Sequence, residues 1–156
     1  FITGQYLKQH PELVDRMVQE GHIVGNHTIN HPSMPQVDNK KLEQEVLGLD
    51  KIFYERYQKH MKYLRPPMGE YSERTLAFMK EIGYKTIFWS FGYLDYDTKN
   101  QKGADYAFNY VINNGIYPGS LLLLHAVSKD NAEALDRIIK EVRARGYEIK
   151  NLDSLE

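Results

Sequence analysis

The sequence has no cysteine among its 156 residues. Disulfides and thiolate metal sites are excluded, so any metal must be held by His, Asp, Glu or water. An excess of one charge is lacking too. Twenty Lys and Arg stand against 21 Asp and Glu, a net charge of −1, with pI near 6.7. The basic residues are scattered, which leaves no electrostatic footprint for nucleic acid or an anionic membrane. No apolar run approaches the roughly 20 residues of a membrane span. No stretch reads as a secretory leader, and no linker, repeat or low-complexity run is expected. Phe1-Ile2-Thr3-Gly4 reads as the end of a strand with no strand before it, so the sequence is expected to begin inside a domain.

What is present is ordinary in amount. Hydrophobic residues make up 42% and charged residues 26%, which fits one globular domain over residues 1–156. The 12 tyrosines suit carbohydrate stacking and an ordinary core equally well.

Helical and strand-like stretches alternate along the chain. Residues 5–20 carry an apolar stripe of Leu7, Leu13, Val14, Met17 and Val18, with Pro11 at a possible first turn and Gly21 as the stop. His22 to Gly25 reads as a short buried strand. Asp38 or Asn39 can cap a helix to about Gln58, with Leu42, Val46, Leu49, Ile52 and Phe53 on one face. Tyr63-Leu64-Arg65 is a strand, and Ser72 caps a helix ended by Gly83. Tyr84 to Ser90 reads as a buried strand, residues 91–103 as a loop, and Asp105 to Asn114 as a helix. Leu121 to Leu124 form a continuous apolar strand of the kind buried on both faces. Asp130 and Glu133 predict a capping box for a helix ended by Gly146. Tyr147 to Leu152 is a last strand. This pattern predicts an α/β fold with a mainly parallel sheet, doubly wound or closed as a barrel.

The residues that can do chemistry fall at the predicted strand ends. His27 and His31 follow the first complete strand. Residues four apart project from one face of a helical or tight-turn backbone, so both imidazoles can reach one ion. Arg65 follows the next strand, Asp95 lies beyond the third, and His125 ends the leucine run. In parallel α/β folds these ends are where sites are built. Taken singly, each has a bland reading: a surface histidine pair, a core histidine bonded to a carbonyl, a loop-capping aspartate.

Taken together, the chain resembles the polysaccharide deacetylase family, the NodB-like carbohydrate esterases. The likeness is carried in order by NHTINHP (26–32), LRPPMG (64–69), FWSFGYLDYD (88–97) and LLLLHAVSKDNAEAL (121–135). Within the family, RPPMGEYSERTL and LLLLHAVSKDNAEALD look most like the bacterial N-acetylmuramic acid deacetylases of δ-lactam formation in the spore cortex. The resemblance implies a distorted (β/α)7-type barrel and a metal-dependent N-deacetylase of peptidoglycan, commonly a zinc enzyme, acting outside the cytoplasm. It implies His27 and His31 as metal ligands and Arg65 as the residue that orients a catalytic-base aspartate. The Met68 backbone N–H would help stabilise an oxyanion. Asp95 would tune His125, the general acid that protonates the leaving amine. Trp89, Tyr96 and Leu123 would line the acetyl or sugar pocket.

Two departures stand out. The family's first motif, an Asp-Asp or Asp-Asn pair that supplies the base and a third metal ligand, is absent, so the domain is expected to be incomplete at its N-terminus. Tyr96 stands where the family usually has Trp. The sequence as it stands is therefore expected to be inactive or nearly so, and to present unpaired strand edges that invite a swapped oligomer. The alternatives are an inactive glycan-binding domain on the same fold, or a deacetylase of chitin-like or N-acetylglucosamine glycans.

Overall fold

The computed structural model describes residues 1–155. The chain divides into two compact units, residues 1–88 and residue 89 onward. In the first unit, extended segments lie side by side in chain order. Ile2 pairs with Asn26, Asn26 with Leu64, and β1 (Tyr63–Leu64) with β2 (Lys85–Thr86), all parallel. Parallel neighbours need a crossover between them. These are α1 (Gly4–Gln9) with α2 (Pro11–Gln19), then α3 (Asn39–Tyr57), then α4 (Glu73–Glu81). The α/β class expected from the alternation is the class that folds.

The helix ends follow local chemistry. Asp38 accepts the Lys41 N–H at 2.7 Å and starts α3. Ser72 and Thr75 cap each other's backbone at the start of α4. The stretch over residues 5–20 is two helices rather than one. His10 takes φ −134° and ψ 52°, because the ring of Pro11 disfavours helical backbone in the residue before it. Gly21 and Gly83 take positive φ, +80° and +86°, and end their helices.

The core of this unit is the stripe of α3 (Leu42, Val46, Leu49) against Val14, Leu64 and Met79, all with 0% exposure. Burying each such side chain contributes about 1.5–3 kcal/mol. Ile52, expected on that stripe, is 47% exposed. At 3.6 residues per turn it lies roughly 90° from the centre of the stripe.

In the second unit, α5 (Ala104–Asn114) packs on α6 (Lys129–Ala144). Ala107, Val111, Ala134 and Ile138 close around Phe91. Phe91 pairs in parallel with Leu122, and the Leu123 N–H donates to the Phe91 carbonyl at 2.9 Å. The strands are shorter than the sequence predicts. Residues 22–25 form no regular strand and meet the ladder at their end, where the Gly25 carbonyl accepts the Ile2 N–H beside the Asn26 bridge, and Tyr84 to Ser90 is regular only at Lys85–Thr86. The leucine run is not buried on both faces, since Leu122 is 37% exposed. Residues 147–152 form no strand and run into a 3₁₀ turn at Leu152–Ser154. A strand exists only where a neighbour supplies the ladder, and no described residue pairs with 147–152. The capping box at Asp130 and Glu133 is also replaced. Ser128 is the cap, accepting the Asn131 N–H at 3.2 Å, and Asp130 turns to the Gly103 N–H at 2.7 Å.

Candidate active site

In the first unit the histidine loop is built on Asn26, which has 0% exposure. Its side-chain amide donates to the Val46 carbonyl at 2.9 Å and the Tyr84 hydroxyl at 3.2 Å, and its side-chain oxygen accepts the Thr28 N–H at 2.9 Å. The loop then turns on two left-handed residues that are not glycine, Thr28 (φ 64°) and His31 (φ 58°). Such backbone costs about 1–3 kcal/mol per residue and persists only where surrounding bonds over-determine it. Those bonds are present. Thr28 Oγ1 accepts the His31 N–H at 3.0 Å. Glu45 on α3 accepts the Asn30 backbone N–H at 2.8 Å and its side-chain amide at 2.9 Å. Glu45 is itself buried, with Lys41 Nζ 3.0 Å away. Burial pushes its carboxyl up, but the Asn30 bonds and Lys41 outweigh that and hold it below the usual range.

The loop brings the rings of His27 and His31 to 4.7 Å between centroids, edge to face. His27 Nδ1 lies 2.6 Å from the Arg65 carbonyl oxygen. A carbonyl only accepts, so Nδ1 carries the proton and Nε2 keeps its lone pair. Burial, helped by the Arg65 cation and His31 and opposed by the Arg65 carbonyl, lowers the His27 pKa to about 3. The ring is therefore neutral at pH 7, as metal ligation requires. Two imidazoles with one nitrogen already anchored fit a zinc-like cation. Among the described residues, no cluster of three or more His, Asp or Glu forms.

Arg65 follows β1 directly. Its carbonyl anchors His27, and its guanidinium carbon sits 5.5 Å over the Phe1 ring. Met68 lies in the 3₁₀ turn Pro67–Gly69 with φ 57° and an exposed side chain. Its N–H stands in the first turn, where backbone donors have no intrahelical acceptor.

In the second unit Asp95 is 2% exposed. One carboxylate oxygen accepts His125 Nδ1–H at 2.7 Å, and the other accepts the His125 backbone N–H at 2.6 Å and the Asn131 amide at 2.6 Å. Burial pushes Asp95 up, and these donors more than reverse it, so its carboxyl lies below the usual range. An ionised Asp95 fixes the proton of neutral His125 on Nδ1. The Tyr96 ring meets the His125 ring edge to face at 5.5 Å. Trp89 and Leu123 flank Gly92, where an added Cβ would lie 3.1 Å from Trp89 Nε1 and 3.5 Å from Leu123 Cβ. A cavity of about 220 Å³ opens beside Asp95, lined by Tyr93, Gln101, Tyr106, Tyr110 and Asp130 among others, and Trp89, Tyr96 and Leu123 are not in its wall.

The structure thus pairs His27 with His31 and Asp95 with His125. The anchoring residues Asn26, Thr28, Glu45, Tyr93 and Asn131 were missed by sequence reasoning. Glu45 alone left a signal: it falls between Leu42 and Leu49 on the apolar stripe, where an unpaired charge is not tolerated.

The chain as a whole is similar to known proteins. The pattern that defines the polysaccharide deacetylase family matches residues 1–87, and the chain belongs to that family. It is 41% identical over 99% of its length to the peptidoglycan-N-acetylmuramic acid deacetylase PdaA of Bacillus subtilis, covering 59% of that protein. The solved structure of PdaA, described as a family 4 carbohydrate esterase, superposes with a TM-score of 0.95 over 99% of this chain and 66% of that one. An uncharacterised 30.6 kDa protein of Geobacillus stearothermophilus is 49% identical over 99% of this chain and 58% of its own. A peptidoglycan-N-acetylglucosamine deacetylase of Bacillus cereus is 32% identical over 99% of this chain and 73% of its own. The chain spans just under six-tenths of the length of the first two of these relatives.

Proposed function

We propose that this protein removes the N-acetyl group from an amino sugar of peptidoglycan, N-acetylmuramic acid in particular, releasing acetate outside the cytoplasmic membrane. The observation that carries the reading is the buried Asp95 gripping His125. A domain that only bound glycan would have no use for an imidazole held in one tautomer by a desolvated carboxylate. The muramic substrate, and with it a role in the spore cortex, is drawn from the likeness to PdaA. The chain-order arrangement of parallel segments in the first unit supports a barrel of the (β/α)7 type, since a doubly wound sheet reverses its order.

Amide hydrolysis needs an activated water, a stabilised oxyanion and a proton for the departing amine. His27 and His31 would hold a divalent cation, most suitably zinc, which when bound supplies Lewis acidity to water and to the acyl oxygen. The Met68 N–H donates to the oxyanion, on backbone set by its left-handed conformation. Arg65 holds His27 in the ligating tautomer through its carbonyl and supplies positive charge for a catalytic carboxylate. His125, protonated on both nitrogens and steadied by Asp95, gives its Nε2 proton to the leaving amine. Trp89, Leu123 and Tyr96 contact the acetyl group or sugar.

The test measures acetate release by the natural-length protein, with zinc or with chelator, from muramic acid-containing glycan strands and from chitooligosaccharides. Zinc-dependent release from the muramic substrate supports the reading. Release from chitooligosaccharides alone moves the substrate to N-acetylglucosamine. Tight binding of either glycan with no acetate released makes the protein a glycan-binding domain.

A further inference from the structure

The Asp95–His125 pair does not stand alone. Asn131, in the first turn of α6, is 5% exposed, and its amide nitrogen donates to Asp95 at 2.6 Å. Its amide oxygen in turn accepts the Tyr93 hydroxyl proton at 2.5 Å. The Asp95 contact sets the amide orientation, since a flipped amide would place its oxygen against the Asp95 carboxylate. The Ser128 cap fixes the Asn131 backbone, and Gly103 N–H occupies the neighbouring Asp130 carboxylate.

We propose that Asn131, oriented by Tyr93, is a positioning residue that fixes the Asp95 carboxylate and so sets the orientation and tautomer of the His125 imidazole. The physical reason is one of counting. Asp95 has two oxygens and three protein donors, two of them from residue 125 itself. With only the two His125 donors, the carboxylate would be held by a single residue, and Asp95 and His125 both lie on irregular segments outside any helix or strand. Asn131 ties the carboxylate to α6, which is anchored in the core through Ala134, Ile138 and Val142. Asp cannot replace it, since a second carboxylate would face the first. The titratable groups around the pair include Tyr93, Tyr96 and Asp130, with Tyr106, Tyr110 and Lys102 on the wall of the cavity that Asp95 lines. Asp95 forms an ion pair with His125 when that imidazole is protonated.

This inference rests on the deacetylase reading for its catalytic meaning but not for its test. The ring nitrogens of His125 in 15N-labelled protein are followed by long-range proton–nitrogen NMR across pH, in wild type, Asn131→Ala and Tyr93→Phe. Wild type is expected to show the Nδ1–H tautomer. Asn131→Ala is expected to give mixed tautomers and a moved His125 titration midpoint. Tyr93→Phe, which keeps every apolar contact, is expected to give a smaller change of the same sign. Where Asn131→Ala does not fold, the Tyr93→Phe spectrum decides. A His125 spectrum and titration identical to wild type in a folded variant overturn the proposal. In the natural-length protein, Asn131→Ala should lower kcat on the order of tenfold with KM little changed, as for removal of a carboxylate's supporting bond. If wild type releases no acetate, the catalytic reading falls while the NMR result still decides the positioning role.

Discussion

Replacing Asn26 with Ala should cost about as much as emptying a buried core site on the ladder of the first unit. The side chain makes three hydrogen bonds in a place with 0% exposure, to Val46 carbonyl, Tyr84 hydroxyl and Thr28 N–H. The net worth of such bonds is about 1 kcal/mol each, and a partner left buried and unmade costs about 1–3 kcal/mol. Tyr84 can turn its hydroxyl, whereas the Val46 carbonyl and Thr28 N–H are fixed by backbone. The expected loss is therefore about 3–5 kcal/mol, against a total of about 5–15 kcal/mol for a typical domain. Urea unfolding followed by circular dichroism reads it as a fall in midpoint with unchanged slope. Tyr84→Phe removes one of the three bonds and should cost about 1 kcal/mol. In the double variant the two losses should not add, since they share a bond. A loss below about 1 kcal/mol for Asn26→Ala would refute the idea that buried amide bonds, rather than the two-residue pairings around them, hold the histidine loop.

Three other changes probe separate parts of the molecule. Gly115→Ala places a Cβ 2.9 Å from the Phe91 ring and 3.0 Å from the Val111 carbonyl; overpacking there should cost about 1–3 kcal/mol by thermal or urea melting. Glu45, whose folded carboxyl lies below its usual range, adds stability that is complete above the unfolded pKa near ~4.3 and is lost as pH falls through the lower folded value. Glu45→Gln should therefore be less stable at neutral pH and show a shallower acid decline, and an identical pH profile would count against the Asn30 anchor. His27→Ala should weaken zinc binding by residues 1–156, read by calorimetry, at least about tenfold, because one of two imidazole donors is gone; unchanged binding would place the metal elsewhere.

What the sequence made legible was local. The caps Asp38 and Ser72, the Pro11 start and the stops at Gly21 and Gly83 depend on a few neighbouring residues, and each is where composition put it. Strands were legible as apolar runs but not as ladders. Leu121 to Leu124 has the composition of a doubly buried strand, yet its burial depends on which segments lie beside it, and that is not written in the run itself. The histidine pair and His125 could be picked out because imidazoles are rare and their spacing is informative. Their supports could not. Asn26, Asn131 and Tyr93 look in sequence like ordinary turn, helix and aromatic residues, and only the fold gives their amides and hydroxyl the partners they anchor.

The Glu45 bond to Asn30 makes α3 more than a wall of the core. Each residue along a helix turns the side chains by about 100°, so one inserted or deleted residue between Asp38 and Glu45 would swing the carboxylate off the histidine loop altogether. Sliding α3 by a turn would carry it about 5.4 Å along the axis, well beyond hydrogen-bonding range. The helix therefore works as a gauge. Its capped start and its apolar stripe fix its register, and that register fixes where His31 stands. Drift on its exposed side, at Lys40, Glu43 or Lys51, leaves the gauge unread, while length change near its start resets it, so sequences of this kind should vary freely there in composition and hardly at all in length.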